Sequence, residues 1–174
     1  NPQLQSGTDR IFEALKQINN YRSYKNIINL QGDMPFIKPE DIIKVNAPIL
    51  NGFDIGTLAT NLSIDEEKNV NITKVHIEWM KTSNLGIAKN FYKDSLGKIK
   101  SIYHHVGIYS FKIEALSHFV SLPPSINELN YKLEQWRALD ADMTIGVNFV
   151  ENVPLSVDTK EDLIHLESVI KSLK

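Results

Sequence analysis

The sequence predicts an α/β layer fold built on a largely parallel central sheet, and three observations carry that expectation. Short apolar runs bounded by turn residues, such as Asn26 to Leu30, alternate with segments whose apolar residues recur at helical spacing, such as Ile11, Phe12, Leu15 and Ile18. Helix-start signals stand ahead of the periodic segments: Ser6 with Asp9, Pro39 with Glu40 and Asp41, and Thr159 with Asp162. The 174 residues, 42% hydrophobic and 23% charged, can enclose one sizeable core, so a single domain spanning 1–174 is expected.

Taken in order, the chain opens with a helix from Ser6 to about Asn19. Asn26 to Leu30 reads as a buried strand ended by Gly32 and Pro35, and Pro39 begins a helix carrying Ile42, Ile43 and Val45. Ile55 to Thr60 and Lys74 to Trp79 are strands separated by a charged loop. Gly107 to Phe111 is a further strand, and Ile113 to Val120 a helix that Pro123 and Pro124 terminate. From Asn127 to Leu139, the residues Leu129, Leu133, Trp136 and Leu139 share one helical face. Met143 to Val150 is a strand, and the last helix follows Thr159.

Composition removes several function classes. A formal charge of -2, with Lys and Arg scattered, offers no basic field for nucleic acid, which is not expected as a partner. The absence of cysteine excludes disulfide frameworks, thiolate metal sites and cysteine nucleophiles. No apolar run approaches a membrane span and no signal segment opens the chain, so a cytoplasmic chain with no membrane partner is expected.

Chemistry concentrates in a few segments. Gln31-Gly32-Asp33 stands at the end of a buried strand, where open α/β sheets bind ligands, and magnesium takes one or two carboxylates plus substrate phosphates. Turn formation explains the same residues equally well. Asp158 precedes the last helix and reads either as a second metal ligand or as part of its cap, although Thr159 already suits the cap. Gln5 to Arg10 offers an amide, hydroxyls and a helix start, suited to a nucleotide or to simple capping. Adjacent His104 and His105 point to opposite faces of a strand, so at most one should reach a pocket. For Glu134, Gln135 and Arg137 a solvated helix face is the ordinary explanation.

These segments, in this order, resemble the 3-deoxy-manno-octulosonate cytidylyltransferase (CMP-Kdo synthetase) family. The resemblance rests on Gln5 to Arg10, Asn29 to Pro35, His105 to Phe111, Leu122 to Ser125, Leu133 to Leu139 and Val157 to Leu163, and so runs through essentially the whole chain. It implies a three-layer, Rossmann-like nucleotide-diphospho-sugar-transferase fold, and cytidylyl transfer from CTP to Kdo for lipopolysaccharide synthesis. By likeness, Asp33 and Asp158 bind Mg2+ and are the catalytic pair; Gln5, Ser6, Gly7, Arg10 and Gln31 contact CTP; His105, Tyr109, Glu134 and Gln135 line the Kdo site. A homodimer is implied, with Pro123-Pro124 and the following helix as interface.

Two departures accompany the resemblance. The family opens with a strand and a glycine- and arginine-rich phosphate loop that has no counterpart between Asn1 and Lys174, so a chain with the first strands missing is expected. The family's Tyr-Phe-Ser-Arg falls at Asn90 to Lys93, where a lysine replaces the planar fork of an arginine. A catalytically impaired remnant, or an enzyme for another acidic sugar, are the alternatives these departures leave.

Overall fold

The computed structural model describes residues 6–81, 84–94, 100–157 and 159–172. Helix α1 (Gly7–Leu15) leads through a 3-10 turn (Tyr21–Ser23) to β1 (Asn26–Asn29), α2 (Pro39–Leu50), β2 (Ile55–Thr60), the short α3 (Ile64–Glu67), β3 (Lys74–Trp79), β4 (Leu85–Tyr92) and β5 (Ile102–Lys112). Helices α4 (Ile113–Ser121), α5 (Ile126–Tyr131) and α6 (Gln135–Asp140), strand β6 (Ile145–Phe149) and α7 (Lys160–Ser172) complete the order. Among the described residues no helix is long and apolar enough to cross a membrane.

The strands form one sheet in the order β1-β5-β2-β6-β4-β3. The expectation of a mostly parallel sheet is corrected: among the described residues β2 and β6 are the one parallel pair, while β5 runs antiparallel to β1, β2 and β3, and β4 antiparallel to β3 and β6. The reason is β5, an 11-residue strand that lies between β1 and β2 and runs antiparallel to both. Strand β4 is not among the strands expected from the sequence, where only Asn90 to Lys93 is singled out, as a variant motif.

Helices cover both faces, giving three layers. On β2 every residue is buried, and alternate side chains go to opposite sides. Leu58 joins Val45, Val106, Ile108 and Val150 under α2, while Ile55 and Ala59 join the larger core with Tyr109, Phe111, Leu116, Phe119 and Val147. Helix α2 sits close to the sheet because Gly56 and Gly146 lie beneath it. A Cβ on Gly56 would stand 2.3 Å from the Val45 carbonyl oxygen, and one on Gly146 2.6 Å from Pro48 Cβ. Pro48, inside α2, has no N–H for the Lys44 carbonyl, and Asn148 of β6 supplies the missing donor at 3.1 Å.

Local signals were followed closely where chemistry was local. Ser6 and Asp9 form a reciprocal capping box, Pro39 is the first residue of α2, and Thr159 caps α7 with Asp162. Helix α1 nevertheless ends at Leu15 rather than Asn19, and Asn20 takes the left-handed conformation. The single helix expected over Asn127 to Leu139 is two helices, broken at Lys132 with φ 54°. Leu129 consequently stays exposed while Leu133 is buried, so the presumed common face does not exist.

Candidate active site

The ends of β1 and β6 open onto a cavity of about 490 Å³. Gln31 and Asp33 enter its wall from the turn after β1, and Val153, Pro154 and Ser156 from the segment after β6. Gly32 and Asp33 are turn residues, as their chemistry suggests: the Met34 N–H donates to the Gln31 carbonyl at 3.3 Å. The Asp33 carboxylate takes no part in that turn. Its Oδ1 is buried without a hydrogen-bond partner, an arrangement that costs stability unless a ligand or cation fills the need.

The opposite wall is β5. Its register against β2 slips between Thr57 and Leu58, which pair with Tyr109 and Val106, and the bulge brings the backbone at Gly107 to the cavity. Gln31 reaches across to this bulge and donates Nε2–H to the Gly107 carbonyl at 2.8 Å. Both His104 and His105 border the cavity, which corrects the expectation that at most one would; the irregular strand exposes both sides to the same opening. They are held differently. His104 Nδ1 lies 2.9 Å from Glu66 Oε1. His105 Nε2 lies 2.9 Å from Thr57 Oγ1, whose own proton goes to the Ile108 carbonyl at 2.9 Å, so the network assigns the His105 proton to Nε2. Burial, with the neighbouring His104, drives the His105 pKa down to about 3, and the imidazole is neutral at physiological pH.

Two residues along from the bulge, the Tyr109 hydroxyl is paired with Gln135 Nε2. Burial, and after it the charge of Glu134, raise the Tyr109 pKa, keeping the phenol protonated. Gln135 is 8% exposed, and its Oε1 is a second buried acceptor without a partner on this cavity. Glu134 is fixed from the far end of the chain: Thr8 Oγ1 donates to Oε1 at 2.9 Å and the Thr8 N–H to Oε2 at 3.3 Å.

The solvated face expected for Glu134, Gln135 and Arg137 is therefore overturned. Arg137, 2% exposed, forms a two-bond fork with Glu128 (Nε to Oε2 2.7 Å, Nη2 to Oε1 2.6 Å), approaches Asp9 at 3.3 Å and lies over the Phe119 ring at 4.7 Å. This buried knot ties α1, α4, α5 and α6 together behind the cavity. The break at Lys132 is what turns Glu134 and Gln135 inward.

Of the remaining residues singled out in the sequence, Ser6, Gly7 and Arg10 border a neighbouring cavity of about 580 Å³ that shares Lys132, Leu133 and Glu134 with the first. Gln5 and Asp158 lie outside the described residues. The sequence reading did not single out Thr8 or Lys132, although each stands inside or beside a segment it quoted. It also passed over Lys74, a buried amine that holds the carbonyls of Asn69 (2.6 Å) and Lys93 (2.7 Å) and so shapes the Asn69 to Thr73 wall. Among the described residues no group of three or more His, Asp or Glu side chains could hold a metal by itself.

A twisted sheet covered on both faces, with polar and acidic side chains gathered in a cavity beyond the ends of β1 and β6, defines the architecture of the sugar-nucleotide transferases. Comparison with known proteins narrows the class. The cytidylyltransferase family model matches residues 1–145. A 3-deoxy-manno-octulosonate cytidylyltransferase from Chelativorans sp. (strain BNC1) is 43% identical over 165 residues, covering 91% of this chain and 66% of that protein. One of the same name from Bartonella tribocorum is 40% identical over 167 residues, covering 95% and 69%. The solved structure of CMP:2-keto-3-deoxy-manno-octonic acid synthetase complexed with CTP superposes with a TM-score of 0.84 at 27% identity, covering 99% of this chain and 70% of that one. UDP-glucose pyrophosphorylase complexed with UDP-glucose, at 12% identity and a TM-score of 0.68, shares the fold. The chain belongs to the cytidylyltransferase family, among the 3-deoxy-manno-octulosonate cytidylyltransferases. It spans about two thirds of the length of the curated relatives it matches.

Proposed function

We propose that the protein carrying this chain transfers a cytidylyl group from CTP to 3-deoxy-manno-octulosonate (Kdo), forming CMP-Kdo and pyrophosphate for lipopolysaccharide synthesis. The observation that carries the proposal is one cavity bordered by two buried acceptors without partners, Asp33 Oδ1 and Gln135 Oε1, in a chain whose relatives bear this activity in their names. The anomeric hydroxyl oxygen of the sugar bonds to the α-phosphorus, the bond from that phosphorus to the bridging oxygen breaks, pyrophosphate leaves, and the hydroxyl proton is lost to solvent.

Such a displacement needs charge neutralisation and in-line positioning rather than a covalent nucleophile. Asp33, with Asp158 as its partner in sequence pattern, would hold Mg2+, which when bound would neutralise the triphosphate. The partnerless Oδ1 fits a hard cation completed by phosphate oxygens. Gln31 fixes the β5 bulge beside the nucleotide, and Arg10 with Ser6 and Gly7 stands at the adjoining cavity, where a phosphate could extend. Tyr109, Gln135, Glu134 and His105 offer an ordered set of donors and acceptors for sugar hydroxyls. A cytoplasmic homodimer accords with this role, and the exposed Ile126, Leu129 and Tyr131 on α5 support an interface there.

Pyrophosphate release tests the reading. With CTP, Kdo and Mg2+ together the protein should release pyrophosphate, and omission of any one should stop it. Release that is indifferent to Kdo would contradict the assignment of the acceptor.

A further inference from the structure

An anionic sugar entering this cavity meets walls that are mostly neutral or negative. Among the described residues on its border, Asp33, Glu134 and Asp162 carry carboxylates, and Lys132 is the one lysine or arginine. Of the other nearby cations, Arg137 is locked behind the wall by Glu128 and Asp9, Lys74 is held by two backbone carbonyls, and Arg10 borders the adjoining cavity but not this one. Lys93, the residue at the position where the family resemblance has an arginine, is exposed at the end of β4 and does not border the cavity.

Lys132 also holds an unusual backbone conformation, φ 54° and ψ 42° at the end of α5, where glycine is the easier choice. That conformation is strained for a residue with a Cβ. It persists because the residues that follow are fixed. Leu133 is buried, and Glu134 and Gln135 are held by Thr8 and Tyr109. The lysine is thereby placed on the rim shared by the two cavities, directly beside the ordered sugar-facing pair.

We infer that Lys132 is the residue that recognises the carboxylate of the sugar acid. The inference rests on the reading that the cavity takes a sugar acid. The same ammonium chemistry would also suit a phosphate of CTP, so the test has to separate the two anions.

Binding of Kdo, of its C1 carboxamide, and of CTP with Mg2+ is measured by calorimetry on the protein carrying this chain and on Lys132→Met, Lys132→Gly and Lys132→Arg. The unsubstituted protein should prefer the acid to the amide about tenfold, the scale of one charge-assisted hydrogen bond. Lys132→Met should lose that preference with CTP affinity unchanged. Lys132→Gly, which suits the left-handed backbone and so folds at least as readily, should lose it equally, and Lys132→Arg should keep most of it. An undiminished preference in the Met and Gly variants overturns the inference alone, as does loss of CTP affinity with the preference intact. Failure of the unsubstituted protein to bind Kdo at all overturns the functional reading together with the inference.

Discussion

The Val157 amide donates to the Asp33 carbonyl at 2.9 Å, joining the turn after β1 to the segment after β6 through their backbones. Two parts of the chain more than 120 positions apart are thus in register at the cavity, and the residue after Val157 in sequence is Asp158. Val157→Pro removes the donor without changing any charge. Affinity for CTP with Mg2+ should fall about tenfold while the thermal midpoint moves by only a few degrees, since one backbone hydrogen bond contributes about 1 kcal/mol. Unchanged CTP affinity in a calorimetric titration would show that this link does not serve the nucleotide site.

Thr8 holds Glu134, a residue of the proposed sugar site, through two hydrogen bonds. Thr8→Val keeps shape but strands Glu134 Oε1, and kcat/KM for Kdo should drop about tenfold with a stability loss of about 1–2 kcal/mol. Thr8→Ser should restore both. A Val variant with normal steady-state kinetics for Kdo would remove Thr8 from the account.

Arg137 is structural. Arg137→Met leaves Glu128 buried without its partner and should cost about 3–5 kcal/mol in urea unfolding, a large part of a typical domain's stability. Arg137→Lys should recover only part of that, because an ammonium cannot make the two-bond fork. A loss below about 1 kcal/mol for the Met variant would mean the knot is not what holds α5 and α6 in place.

His105 makes stability depend on pH. Its folded pKa of about 3 lies below the ordinary histidine value of 6.5, so the unfolded chain binds the extra proton in between. The contribution is complete above pH 6.5 and falls as pH drops towards 3, with a slope of at most about 1.4 kcal/mol per pH unit. His105→Gln, which keeps a donor for Thr57, should flatten the urea midpoint between pH 7 and pH 5 relative to the unsubstituted protein. Parallel curves would assign the slope to other groups.

What could be read from the sequence followed the range of the interactions. The capping box of Ser6 and Asp9, the Pro39 start and the Thr159 cap depend on residues three apart, and all were anticipated. Strand β2 was found with its bounds because it is buried on both faces. Sheet direction was misjudged because β5 enters between β1 and β2 from far along the chain, which periodicity cannot show. The α5–α6 break was missed because Leu129, Leu133 and Trp136 keep helical spacing through a left-handed Lys132. Asp33 was recognisable as a strand-end carboxylate, whereas its partnerless Oδ1 and the Thr8–Glu134 bond across 126 positions exist only in three dimensions.

The most direct measurement is formation of CMP-Kdo, followed by phosphorus NMR from CTP, Kdo and Mg2+, for the protein carrying this chain and for Asp33→Asn. Because the turn at Asp33 is held by backbone bonds and the carboxylate Oδ1 has no protein partner, the variant should fold normally. The account predicts a CMP-Kdo phosphodiester signal with the unsubstituted protein and a rate at least about a hundredfold lower with Asp33→Asn. Product formation by the variant at the unsubstituted rate would contradict it.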